Sequence, residues 1–197
     1  IYQRLILDQG YWKNSHLTPP SEEALIEDIE KIQALGYNGL RKHQKIEDER
    51  FLYWCDVKGM LVWSEMAAAY QYTDYAVSEF VSEWMEIVKQ NYNHPCIITW
   101  TPFNESWGVS QIETRKVEQN FTEAVYYLTK SLDKHRPVTT VGSIPFPISL
   151  LCMIMKNWEE SLKTDMWSAK MTLCLRRFIT APANQLLLTA ISIKDSR

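Results

Sequence analysis

The chain has 197 residues, 46% hydrophobic and 12% aromatic, with eight Trp and a formal net charge of −3. That suits one globular domain with a sizeable core, and isolated basic pairs such as Arg41-Lys42 on a mildly acidic chain give no electrostatic footing for nucleic acid. No apolar run approaches the ~18–20 residues that span a bilayer, and four widely spaced cysteines without a Cys-x-x-Cys pair signal neither a zinc site nor a disulfide scaffold.

Arg4-Leu5-Ile6-Leu7-Asp8 is a short apolar run that reads as a first strand. After a loop, Pro19-Pro20 stops the chain and Ser21 caps a helix whose first turn carries Glu22 and Glu23. Leu25, Ile29, Ile32 and Leu35 recur at helical spacing until Gly36. Tyr37 to Leu40 is a second strand ending in Arg41-Lys42-His43, and Asp48 to Val57 reads as a helix closed by Gly59. Met60 to Trp63 is a third strand, ending in Ser64-Glu65. Asp74 is expected to cap a longer helix with Val77, Phe80, Val81, Trp84 and Val88 on one face, and Asn93-His94-Pro95 breaks it. A fourth strand then runs toward Asn104-Glu105, and Val117, Phe121, Ala124, Val125 and Leu128 mark a fourth helix.

Strand and helix alternate four times with short connections, the pattern of a parallel sheet covered by helices. The fold class is therefore α/β, of the kind that α/β barrels share. Each strand ends in a polar group, Asp8, Arg41 and His43, Glu65, and Asn104 with Glu105, and groups at the same end of successive parallel strands converge on one mouth. Glu105 is the candidate acid and base, with Trp100, Phe103 and Trp107 expected to supply desolvation, and Asn104 could bond a substrate hydroxyl. Alone, an Asn-Glu pair is a solvated loop; the barrel placement makes it a catalyst.

Arg41 and His43 alternate along one strand, so they face one side and could contact sugar hydroxyls or orient a carboxylate, although a surface pair has the same pattern. Glu65 either joins the site, pairs with Arg41 or caps the next helix. His94 is expected to make a structural hydrogen bond rather than ligate a metal. Trp63, Trp100 and Trp107 could stack on sugar faces or simply fill the core. Nothing forms a convincing metal-ligand set, and no cofactor is expected.

At these residues the chain resembles the catalytic barrel of glycoside hydrolase family two, the β-galactosidase and β-glucuronidase group. The matching blocks are residues 4–12, Gly36-Tyr37-Asn38-Gly39-Leu40-Arg41-Lys42-His43, residues 55–65, Asn93-His94-Pro95 and Phe103-Asn104-Glu105-Ser106-Trp107-Gly108, in order across residues 1–140. The resemblance implies a partial (β/α)8 TIM barrel of roughly the first four to five βα units and retaining hydrolysis of a β-glycosidic bond, with Glu105 as acid/base and Asn104 on the 2-hydroxyl; Arg41, His43, Trp107, Glu65 and Asp8, read from their own positions, are further substrate-binding candidates. It also implies a nucleophilic Glu on a later strand, which no part of this chain matches. Flanking β-sandwich domains are expected in the parent protein; the chain begins without Met, so its true amino terminus is expected upstream and its localisation is unknown. Alternatives are another barrel glycosidase, such as a cellulase or mannanase, and a carbohydrate-binding pseudoenzyme.

After Thr140 the family pattern stops. Residues 1–140 hold 14 basic and 20 acidic side chains, residues 141–197 seven and four, so the charge balance reverses at that point. Shifting the reading frame by one base with chosen codons turns Met153 to Trp158 into His-Asp-Tyr-Glu-Glu-Leu, and gives family-like text at Gly142 to Ile148 and Leu187 to Arg197. Residues 141–197 are accordingly expected to be an out-of-frame tail without a coherent core, and the isolated chain to be aggregation-prone because four units leave a barrel open. Sequencing the gene across the Thr140 codon tests the frame change.

Overall fold

The computed structural model describes residues 1–140; the expectations for residues 141–197 lie outside them. The elements are β1 (Leu5–Asp8), α1 (Glu22–Ala34), β2 (Gly39–Lys42), α2 (Glu49–Lys58), β3 (Leu61–Glu65), α3 (Asp74–Asn91), β4 (Ile97–Thr101) and α4 (Lys116–Leu132). The four strands form one parallel sheet in the order β1-β2-β3-β4. Past α4 the chain returns beside β4: Trp100 N–H donates to the Pro137 carbonyl at 3.0 Å and Thr139 N–H to the Trp100 carbonyl at 2.8 Å. This is the start of a fifth parallel rung.

Helix ends follow their sequence signals. The Ser21 and Asp48 side chains accept from the N–H groups of Ala24 and Arg50, and Gly59 closes α2 in the left-handed conformation with φ 68. At α3 the cap is Thr73, whose hydroxyl accepts from Ala76 N–H at 3.1 Å, and Asp74 is the first helical residue, where its charge still favours the helix start. Strand ends move further from expectation. β3 includes Ser64 and Glu65, and β4 stops at Thr101 because Pro102 has no N–H for the ladder; Asn104 and Glu105 therefore belong to a loop.

Successive residues of each strand serve opposite faces. Leu40, Val62 and Ile97 are sealed under the helices, with Leu25, Ile29, Phe51, Leu52, Cys55, Trp84 and Val88 packed among them. The other face is the open inner side of the partial barrel, where Leu7 is 56% exposed. Gly39 sits between Leu5 and Leu61, and a methyl group there would meet the Leu61 carbonyl oxygen at 2.7 Å and Leu5 Cδ2 at 2.6 Å. Backbone cannot step aside, so Gly39→Ala is expected to cost ~1–3 kcal/mol of stability, measured by chemical denaturation.

Helix α4 departs from the expected apolar stripe. Its buried positions are Glu118, Thr122, Val125, Tyr126 and Thr129, while Val117 and Ala124 face outward. The polar residues can be buried because their bonds are met locally. Thr122 and Thr129 hydroxyls donate to the carbonyls of Glu118 and Val125, Trp84 Nε1 donates to Thr129 Oγ1 at 2.8 Å, and Glu118 accepts from Gln111 N–H and Arg115.

Candidate active site

The carboxyl ends of β2, β3 and β4 bring one polar cluster together on the inner face. Arg41, on β2, directs Nε and Nη2 at Glu65 Oε2 of β3, at 2.6 and 2.5 Å, and donates from Nη2 to Asn104 Oδ1 beyond β4 at 2.7 Å. Gln44 N–H donates to Glu65 Oε1 at 2.8 Å, and His43 Nδ1 lies 3.1 Å from the same oxygen without the alignment of a hydrogen bond. Glu65 is fully buried, so its charge is held by the guanidinium and the amide rather than by water. Of the three readings open for Glu65, pairing with Arg41 is the one the geometry realises.

Glu105 follows in an exposed turn. Trp107 N–H donates to the Asn104 carbonyl at 3.2 Å and closes a four-residue loop in which Glu105 has φ 51, a conformation that suits glycine. Gln44, whose N–H donates to Glu65, is also left-handed with φ 49. Two such residues, one bonded to Glu65 and one following Asn104 in the same hydrogen-bonded cluster, mark a place where conformation is held against local preference. Replacing Glu105 with Gly is expected to leave the melting midpoint unlowered, whereas Glu105→Val lowers stability by ~1–2 kcal/mol. Equal losses in thermal melts would show that the turn is unstrained.

Other expected site residues go elsewhere. Asp8 is one residue out of phase with Arg41 and Glu65, so it points to the helix side, where Lys42 Nζ reaches Asp8 Oδ2 at 2.5 Å and Glu47 Oε2 at 2.6 Å. Trp100 is buried edge-on to Trp84, and Phe103 stacks on Phe80 and meets Phe121; both rings are spent in the core instead of covering Glu105. Trp107 remains at the rim, 48% exposed, and Trp63 lies half-buried on the inner face with Nε1 donating to Gln3.

At the opposite end of β4, His94 makes the structural bond expected of it and Arg136 joins it there. His94 Nδ1 lies 2.6 Å from Asp56 Oδ2, and Cys96 N–H donates to Asp56 Oδ1 at 2.7 Å. Among the described residues, only Asp56, His94 and Cys96 place atoms close enough together to hold a cation, within 4.8 Å. Both Asp56 oxygens are engaged and burial pushes the Cys96 thiol strongly up, so the group works as a clamp between α2 and β4. Arg136, not foreseen as important, donates to the carbonyls of Ile97, Tyr92 and His94 and pairs with Asp133 at 2.7 Å. Burial opposes the Asp133 charge, but bonds from Trp100 Nε1, Arg136 and two backbone amides outweigh it and hold the carboxyl at about 2. The run of charged residues before Pro137 was the available signal.

Comparison with known proteins gives concordant matches. A family model described as glycosyl hydrolases family 2, TIM barrel domain, matches residues 19–174. A β-glucuronidase of Chlorocebus aethiops is 29% identical over 128 residues, 59% of this chain and 18% of that protein. A β-galactosidase of Lactococcus lactis is 30% identical over 132 residues, 62% of this chain and 12% of that protein. Among solved structures, a GH2 β-galacturonidase from Eisenbergiella tayi bound to galacturonate superposes with a TM-score of 0.60 at 26% identity, covering 68% of this chain and 24% of that one. An apo Bacteroides uniformis β-glucuronidase gives 0.63 at 21% identity, a likeness of fold. The chain thus spans less than a fifth of the curated relatives' length.

Proposed function

The chain belongs to glycosyl hydrolase family 2, as part of its TIM-barrel domain, and from that premise we propose that it is the acid/base-bearing segment of a retaining β-glycosidase. The observation that carries the proposal is the hydrogen-bonded line Glu65–Arg41–Asn104 ending one residue before Glu105. Because Arg41 donates to Asn104 Oδ1, the Asn104 amide presents its two N–H donors to an incoming hydroxyl. Glu105, exposed on the adjoining turn, protonates the departing glycosidic oxygen and later takes a proton from water.

Double displacement needs a second carboxylate roughly 5 to 5.5 Å from the first. Glu65 is unsuited to that role, since both its oxygens are committed to Arg41 and Gln44 and its side chain is sealed. The nucleophile is therefore assigned to a strand beyond residue 140, and the chain by itself is expected to be inactive: a proton donor alone leaves the developing oxocarbenium charge uncompensated. The much greater length of the relatives supports a parent with further domains.

The substrate class is a β-linked hexoside or hexuronide, supported by relatives named as β-glucuronidases, a β-galactosidase and a β-galacturonidase. The test is stereochemical. In a complete enzyme carrying residues 1–140, proton NMR of the first sugar released from a β-glycoside is expected to show the β-anomer. An initial α-anomer would overturn the retaining assignment, and binding of the glycoside without turnover would favour a carbohydrate-binding protein.

A further inference from the structure

The loops after β3 and β4 leave two large aromatic side chains unused by the core. Tyr70 and Trp107 are 71% and 48% exposed, with ring centroids 5.5 Å apart and planes at 76°. An edge-to-face pair keeps ring faces free for a third partner. Its position is fixed by backbone. Gly108 has φ 83, and a Cβ there would lie 2.5 Å from the Ala69 carbonyl oxygen, so the two loops touch main chain to main chain one residue from each ring. The shallow recess beside them is apolar, lined by Ala69, Tyr72, Val77, Phe103, Trp107 and Phe121.

Which part of a glycoside lies there follows from the chemistry of Glu105, on whose role as acid/base this inference rests. The proton goes to the glycosidic oxygen, and that oxygen leaves with the aglycone. The turn opens with Asn104 toward a hydroxyl of the retained sugar, so its far side, past the acid, where Trp107 is exposed, borders the departing group. We propose that Tyr70 and Trp107 form the leaving-group subsite and select β-glycosides whose aglycone presents a flat apolar ring face, either an aryl ring or the C–H face of a second sugar.

The test uses 1-thio-β-glycosides as competitive inhibitors of a complete enzyme carrying residues 1–140. They resist hydrolysis, so their inhibition constants do not depend on proton transfer from Glu105, and a failed subsite is distinguished from a failed acid/base assignment. Phenyl and cyclohexyl thioglycosides are expected to bind more tightly than the methyl compound, and Trp107→Ala to reduce that preference roughly 3- to 10-fold, with Trp107→Phe recovering most of it. Loss of the phenyl preference alone identifies an aryl aglycone, and loss of both identifies a saturated, sugar-like ring. Tyr70→Ala, at a more exposed position, supplies the same comparison if Trp107→Ala does not fold. Equal weakening of all three inhibitors, or no change in their ratios in either variant, would overturn the proposal.

Discussion

Glu105→Gln in a complete enzyme carrying residues 1–140 is expected to lower kcat/KM by about 10²- to 10⁴-fold on β-glycosides with poor leaving groups, such as methyl glycosides. The amide keeps the size and the left-handed turn but cannot donate a proton to the glycosidic oxygen, so that oxygen must depart as an alkoxide. With a nitrophenolate leaving group, which departs readily as an anion, the first step loses its need for the acid and the defect shrinks. The split between substrates distinguishes chemistry from folding: a misfolded enzyme loses both activities equally. Steady-state kinetics on a leaving-group series measures it. An equal, small effect on every substrate would remove Glu105 from the acid/base role, and with it the glycosidase assignment of this loop.

The second large effect is structural. Lys42 is 3% exposed and lies between Asp8 and Glu47, with its ammonium 4.3 Å from the Phe51 ring centre. Lys42→Ala leaves Asp8 without its counter-charge and Glu47 with Lys45 alone, at 2.9 Å, in a nearly closed space, and the expected loss is ~3–5 kcal/mol in chemical denaturation. Replacing the whole group, Lys42→Met with Asp8→Asn and Glu47→Gln, is expected to recover most of that loss, because what destabilises is the uncompensated charge. If the triple variant is no better than Lys42→Ala, the effect is packing of the lysine stem.

The pH dependence of these interactions has opposite signs. Burial works against the Lys42 charge, but Asp8 and Glu47 outweigh it and raise its pKa above the ordinary lysine value. Its contribution is therefore fully present below about pH 10.4 and is lost as pH rises through the folded value. Asp133, held at about 2, contributes above the ordinary aspartate range, and that contribution is lost as pH falls toward 2. Between those limits neither group limits stability.

The helix starts at Ser21 and Asp48 and the stop at Gly59 were readable because each is a local bargain between one side chain and the backbone beside it. The order of strands and helices was readable for a related reason: a short apolar run and a 3.6-residue stripe are written in consecutive residues. The buried face of α4 was not, because Thr122, Thr129 and Glu118 look polar in the sequence and become core only once their bonds are met, Glu118 by Gln111 and Arg115 just before the helix and Thr129 by Trp84 from α3. Nor was the location of Trp100 and Phe103, since an aromatic ring carries no mark of which layer it will fill.

The sequence by itself determined that this is a β/α chain with Asn104 and Glu105 at the carboxyl end of its fourth unit's strand segment, though not that the strand stops at Thr101, and it carried the family resemblance that the comparisons bear out. Only the tertiary structure decided which strand-end charges share the inner face. Side chains in a strand alternate with a period of two, and a shift of one residue in phase sends a carboxylate to the opposite side of the sheet. Asp8 and Glu65 are both last residues of their strands, yet Asp8 pairs with Lys42 beneath the helices and Glu65 holds Arg41 on the inner face. That difference is set by parallel register and by where each ladder ends, which are long-range properties of the sheet.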